Sequence, residues 1–231
     1  SGGIMYISSG AMGVGIVENG GYVVVKEASV TFASNTINGV NLSGAMTVHG
    51  NTIANSTTVN SGGQITIFNG GVANSTTVNA GGNMYISSGG IHRGTLNIGS
   101  DAAISAFSGS IIDFSVAERT TADTYLINDL SLIDGTPTYT ITVSANQAEG
   151  IYKLAQGAGS FNQTISIGDG TAVYGALSVN GAGVKQNKIL YSLSKNNDSL
   201  YLTVESTPDR TAPVLNLSAD VGGKWTQSGV L

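Results

Sequence analysis

Between Ile53 and Gly90 the chain states one phrase twice. Residues 53–71 read IANSTTVNSGGQITIFNGG and residues 72–90 read VANSTTVNAGGNMYISSGG, so Val72 follows Ile53 by 19 residues. A repeat this short is a unit that cannot bury its apolar face until a neighbour stacks on it, which is the logic of a solenoid. Each copy holds two short β-rich runs, and each run stops at Gly-Gly. Thr57 and Val59 share one side of the first run, and Ile65 and Ile67 one side of the second; Thr76, Val78, Met84 and Ile86 repeat the pattern. No run is long enough for a helix, and paired glycines supply the positive φ of sharp corners. The predicted corners are Gly20-Gly21, Gly62-Gly63, Gly70-Gly71, Gly81-Gly82 and Gly89-Gly90. The expectation is an all-β chain, a parallel β-solenoid with rungs of about 19 residues in which identical columns lie on one another.

Other copies flank the clean pair. SGGIMYISSG at residues 1–10 matches AGGNMYISSG at residues 80–89 at eight of ten positions, so the chain opens inside a repeat and its native N-terminus is expected elsewhere. Residues 11–29 are a looser copy, with Val17 in the place of Val59 and with Val23 and Val25 in those of Ile65 and Ile67. Residues 30–52 form a longer, degenerate rung whose extra residues are expected in a loop. In residues 91–110 the register drifts by one, and Leu96 and Ile98 take the places of Thr76 and Val78. At the strand spacing of about 4.8 Å these five and a half rungs make a rod on the order of 25 Å long. In-register stacking would also pair Asn60 with Asn79, and Thr57 with Thr76, in polar ladders.

The grammar changes near residue 111. Through Ser110 the charged residues are Glu18, Lys26, Glu27, Arg93 and Asp101; the rest of the chain carries 11 acids and 7 bases. The Gly-Gly period disappears, and longer strand candidates appear at 124–128, 138–144, 151–155, 164–168, 172–179, 189–194 and 200–205, the last two joined as a hairpin. A solenoid end exposes strand edges and apolar core that must be covered. The division that follows is a solenoid over residues 1–110 and an antiparallel β cap over 111–206. Residues 207–231, with Pro208 and Pro213 around charged Asp209 and Arg210, read as a linker and the truncated start of a further module containing Trp225, the one tryptophan.

Composition narrows the function. A pI near 4.8 and a net charge of −5 argue against nucleic-acid or anionic-membrane partners, which demand basic patches. Cysteine is absent, so stability rests on stacked rungs rather than disulfides. No stretch approaches the roughly 20 apolar residues of a membrane-spanning helix. His49 and His92 lie in different rungs without metal-ligand spacing and read as solvated surface residues. No G-x-S-x-G stretch or Gly-Lys-Ser/Thr loop occurs, and GDG at 168–170 lacks a calcium-roll context. Paired carboxylates would mark a polysaccharide-cleaving β-helix, but residues 1–110 hold three acids and none recurs in a column. Asp113, Asp123, Asp129 and Asp134 read as turns and solvated edges. No catalytic residue, metal site or cofactor is assigned. What remains is a polar outer wall, whose candidate ladder residues are Asn55, Ser56, Thr58, Asn60, Asn74, Ser75, Thr77 and Asn79.

VANSTTVNAGGNMYISSGG resembles the AIDA-type repeat of bacterial autotransporter adhesins: Ala, Ser/Thr-Thr-Val-Asn-x-Gly-Gly, a short strand and a second Gly-Gly. The match is close over 53–90 and looser elsewhere in the first half of the chain. The resemblance implies a right-handed parallel β-helix on a secreted or cell-surface protein, some members of the family carrying sugars on Ser or Thr. Residues 111–206 resemble the non-repeat β region that follows such repeats, and TAPVLNLSA the opening of an immunoglobulin-like module. The implied function is a non-enzymatic adhesin segment that engages a host surface, a glycan or another copy of itself. A structural stalk is the alternative reading, and a carbohydrate-active β-helix enzyme the third.

Overall fold

The computed structural model describes residues 2–207 and the backbone of two short strands, Leu217–Ala219 and Trp225–Gln227. The repeats wind into coils. Strand Thr52–Val59 runs parallel to Val72–Val78 with Ile53 beside Val72, Ala54 beside Ala73 and Val59 beside Val78. Gln64–Ile67 runs parallel to Asn83–Ile86 in the same way, Ile65 beside Met84 and Ile67 beside Ile86. One parallel sheet is built from the long strands and another from the short ones. Between them Val59, Ile65, Ile67, Val78, Met84 and Ile86 are wholly buried. Burial of each such side chain is worth about 1.5–3 kcal/mol, and a single coil could not collect it. The chain is a β-solenoid, and its 19-residue period is the contour of one coil.

The two glycines of a corner have different reasons to be there. Gly62 has φ +75°, whereas a Cβ on Gly63 would lie 2.6 Å from the Leu42 carbonyl oxygen of the neighbouring coil. Conformation selects the first and close approach of backbone the second. The long strands contain a further device. Ala54 and Thr57 both point inward although three residues apart, because Ser56 between them has φ +52°; Ser75 repeats this at +55°. One left-handed residue bends the strand and resets its alternation. On the next coil Arg93 stands beside Asn74 but Leu96 beside Thr76, so the extra residue of that rung is absorbed as a bulge at Gly94–Thr95.

Near the N-terminus Ile4–Ile7 pairs parallel with Tyr22–Val25, and Met12–Ile16 with Ser29–Phe32. The long rung, expected to put its extra residues in a loop, instead carries strands at Ser29–Phe32, Asn35–Asn38, Asn41–Leu42 and Ala45–Val48 with two-residue connections. Val23 is buried, but Val17 and Val25, expected inward, are exposed at 60% and 36%, at the end of the rod where no coil of described residues closes the core.

The parallel ladder crosses residue 110 without a break. Ile111–Ser115 stacks on Ile91–Ile98, Thr138–Thr142 on Ile111–Ser115, and Ile165–Gly168 on Thr138–Thr142. The change in sequence texture at 111 thus reflects longer connections between coils, not a new kind of pairing. Antiparallel pairing enters later. Val173–Leu177 folds back on Ile165–Gly168, and Gly150–Ala155, Ser199–Ser206, Ile189–Asn196 and Val184–Gln186 form a separate antiparallel group. The hairpin closes through Asn196 paired with Ser199. Residues 124–128 are not a strand; Ile127 makes isolated parallel bridges to Leu96 and Ala155, carrying the coil column into the antiparallel group. Coils and cap share one core, where Tyr139 meets Phe161 edge-on and stacks on Phe114. Within 207–231 the strands Leu217–Ala219 and Trp225–Gln227 pair antiparallel; the rest of the linker and further module expected there, apart from Thr207, lies outside the described residues.

Candidate interaction surface

Register turns single outward residues into columns. Asn74 Nδ2 donates to Asn55 Oδ1, and Asn55 Nδ2 to Asn38 Oδ1, each at 2.9 Å. Asn79 Nδ2 donates to Asn60 Oδ1 at 2.9 Å, and Asn97 Nδ2 reaches Thr77 Oγ1 at 3.5 Å. Identical amides one coil apart are spaced for one hydrogen bond, which is why these ladders form. Ser56 and Ser75 stand exposed at the bend, with Thr58 and Thr77 half-buried beyond it. The ladder expected from Thr57 and Thr76 does not form. Both side chains point into the core, and their hydroxyls have no hydrogen-bond partner among the described residues. The bend at Ser56 and Ser75 turns them inward.

The same bend creases the wall, which is not flat. A shallow depression of about 250 Å³ lies along Ser56, Thr58, Ser75 and Thr77. It shares Ser75 and Thr95 with a larger one of about 510 Å³ that also touches Arg93, Glu118 and Arg119. That depression shares Arg93 and Thr142 with a third, of about 200 Å³, walled by Ile91, Ile111 and Val173.

Arg93 continues the asparagine column, followed by Asp113, Thr140 and Ser166 on successive coils. Asp113 is no solvated edge; only 2% of its side chain is exposed. Its carboxylate accepts from Arg93 Nε at 2.8 Å, from Thr140 Oγ1 at 3.1 Å and from Thr142 Oγ1 at 2.8 Å. Asp123 does cap a turn, accepting from the Thr120 amide, and Asp129 caps the 3₁₀ turn Leu130–Leu132. Within GDG, Asp169 accepts from the Thr171 hydroxyl and from the Thr171 and Ala172 amides, bonds that hold its pKa well below the carboxylate range. That carboxylate closes its own turn.

Neither histidine is a solvated surface residue. His92 is wholly buried, in register with Ala73 and Ile112, and neither ring nitrogen has a partner among the described residues. Burial pushes its pKa down to about 4. His49 is sandwiched between Phe32 and Phe68 at ring-centroid distances of 4.2 and 4.5 Å. Its Nδ1 and backbone N–H meet the carboxylate of Glu18 at 2.8 and 2.7 Å, and Thr47 Oγ1 donates to the same group at 2.7 Å. Burial alone would raise the Glu18 pKa; the bonds from His49 and Thr47 outweigh it and hold it below the usual value. The Thr47 hydroxyl also accepts from the Val23 amide at 3.0 Å, tying Tyr22–Val25, which pairs with Ile4–Ile7 outside the short-strand sheet, to Ala45–Val48. Glu18, Thr47 and His49 thus join the irregular first coils to the regular rod. Sequence reading missed this joint and the Arg93–Asp113 pair, whose members are distant in the chain; knowledge of coil register is the signal that would find them.

No family model matches the chain, and no curated protein matches it. Among solved structures the chain is similar to a TibC-catalyzed hyper-glycosylated TibA fragment. The identity is 17%, the coverage 72% of this chain and 69% of that one, and the TM-score 0.31. A likeness of that size carries no functional argument, so function is read from the chain's own surface.

Proposed function

We propose that this chain is a non-enzymatic segment of a secreted or cell-surface bacterial adhesin, acting in adhesion or self-association through the polar lateral face of the solenoid. The observation that carries the reading is the pair of amide ladders, Asn38–Asn55–Asn74 and Asn60–Asn79, beside exposed Ser56 and Ser75. Aligned amides and hydroxyls offer a host surface, a glycan or a second rod a periodic row of donors and acceptors. Each hydrogen bond gained is worth on the order of 1 kcal/mol net, so repetition along the rod supplies the strength. Cells displaying the chain should clump or adhere in proportion to the density displayed, and replacing Asn55, Asn60, Asn74 and Asn79 together by Ala should abolish it. Clumping and adhesion that survive those replacements would count against the polar face, and cells that neither clump nor adhere at any density of display would favour the alternative, a stalk that only spaces other modules. An unrelated solenoid of equal length would then substitute without loss.

A further inference from the structure

We propose that the crease running from Ser56 past Arg93 to Val173 is a binding groove for an extended, uncharged oligosaccharide. The inference rests on the adhesive reading and gives it a site and a ligand class. Three depressions adjoin one another: the first and second share Ser75 and Thr95, the second and third share Arg93 and Thr142. Together they cross the coils from Thr52–Val59 to Ile165–Gly168, with coils about 4.8 Å apart, close to the length of one pyranose residue. The groove therefore presents a fresh set of side chains to each successive sugar.

Its chemistry is that of a polyol site. Ser56, Thr58, Ser75, Thr77 and Thr95 supply hydroxyls that both donate and accept, and Ile91, Ile111 and Val173 offer aliphatic surface to the C–H faces of sugar rings. Arg93 is the anchor. Asp113 engages its Nε and fixes the guanidinium plane, while the side chain remains 42% exposed and its two Nη groups make no hydrogen bond to another described residue. Two Nη donors in a fixed plane suit a pair of neighbouring hydroxyl oxygens.

Charge decides against an acidic ligand. Arg93 and Arg119 both line the groove, but Asp113 lies against the first, Asp123 lies 3.8 Å from the second, and Glu118 lines the same depression. Two cations facing three carboxylates leave no positive potential to attract an anion. A peptide strand is disfavoured too, because the coil backbones beneath the groove are already paired with one another. No aromatic ring lines the three depressions, so each sugar is held weakly, and a dissociation constant on the order of a millimolar is expected for a tetrasaccharide.

The test is saturation-transfer NMR on the whole 231-residue chain with neutral gluco-, galacto- and manno-oligosaccharides, and with oligouronides as the contrast. Binding of at least one neutral series, unchanged by added salt and weakened at least fivefold by Arg93→Ala, is the expected result. Because Arg93→Ala strips Asp113 of its partner, Thr95→Trp provides a second variant that fills the groove and leaves that pair intact; it should weaken binding equally. No neutral binding, binding indifferent to Thr95→Trp, or a preference for uronides that collapses with salt would overturn the proposal. If displaying cells still clump while the purified chain binds no sugar, the groove is refuted and the adhesive reading stands. Sugar binding without clumping or adhesion supports the groove and removes the adhesive reading alone.

Discussion

His92 takes, one coil further along, the place that Ala73 holds in the inward column of the long-strand sheet. An imidazole with no hydrogen-bond partner among the described residues stands where two preceding coils have Ala54 and Ala73. Its pKa of about 4 lies below the 6.5 of an unfolded histidine, so the fold favours the neutral ring. This contribution is intact above pH 6.5 and is lost progressively as pH falls toward 4, amounting to about 3 kcal/mol. His92→Ala should flatten the pH dependence of the denaturant midpoint between pH 6.5 and 4.5. An unchanged slope would mean that the ring is reached by solvent.

Glu18 acts in a lower pH window. Its folded pKa is depressed, so what it contributes is present above its unfolded value near 4.5 and disappears as pH falls through the folded value. At pH 7, Glu18→Gln should cost about 2–3 kcal/mol, since an amide presents only one acceptor to the Thr47 hydroxyl, the His49 ring and the His49 amide. Hydrogen exchange should show the loss first in Tyr22–Val25, the strand that the Thr47 hydroxyl holds through Val23. Uniform loss along the whole rod would contradict the role of a joint.

The corner glycines should separate under substitution. Gly62→Ala meets open space and carries only the strain of φ +75°, about 1 kcal/mol. Gly63→Ala drives a methyl against the Leu42 carbonyl of the neighbouring coil and should cost about 3 kcal/mol. Thermal unfolding of the two variants checks the order, and equal costs would refute it.

These features divide by whether they depend on one coil or on two. The coil contour, the buried Val59, Ile65 and Ile67 and the hairpin at Asn196–Ser199 follow from local alternation and turn chemistry, which one stretch of sequence states in full. Thr57 in the core depends on a bend at Ser56, a residue with no evident preference for φ +52°. The burial of His92 and Asp113 depends on which residues lie above and below them. In residues 91–115 that register passes through a bulge and a change of period, so position in the sequence no longer reports position in the column.

Arg93 and Asp113 offer the sharpest test of that column. Asp113 is nearly inaccessible, whereas Arg93 keeps much of its guanidinium in water, so the two residues should not cost the same to remove. Arg93→Ala leaves a buried carboxylate with only the Thr140 and Thr142 hydroxyls and should destabilise by about 2–3 kcal/mol. Asp113→Asn still accepts from those hydroxyls and leaves behind a cation that water can solvate, for about 1 kcal/mol. Once Asp113 is already neutralised, removing Arg93 no longer strands a charge. The double variant should therefore be more stable than the sum of the single losses implies, with a coupling above about 1 kcal/mol that moderate salt barely screens. Strict additivity in urea unfolding would mean that the carboxylate draws its support from the threonines alone.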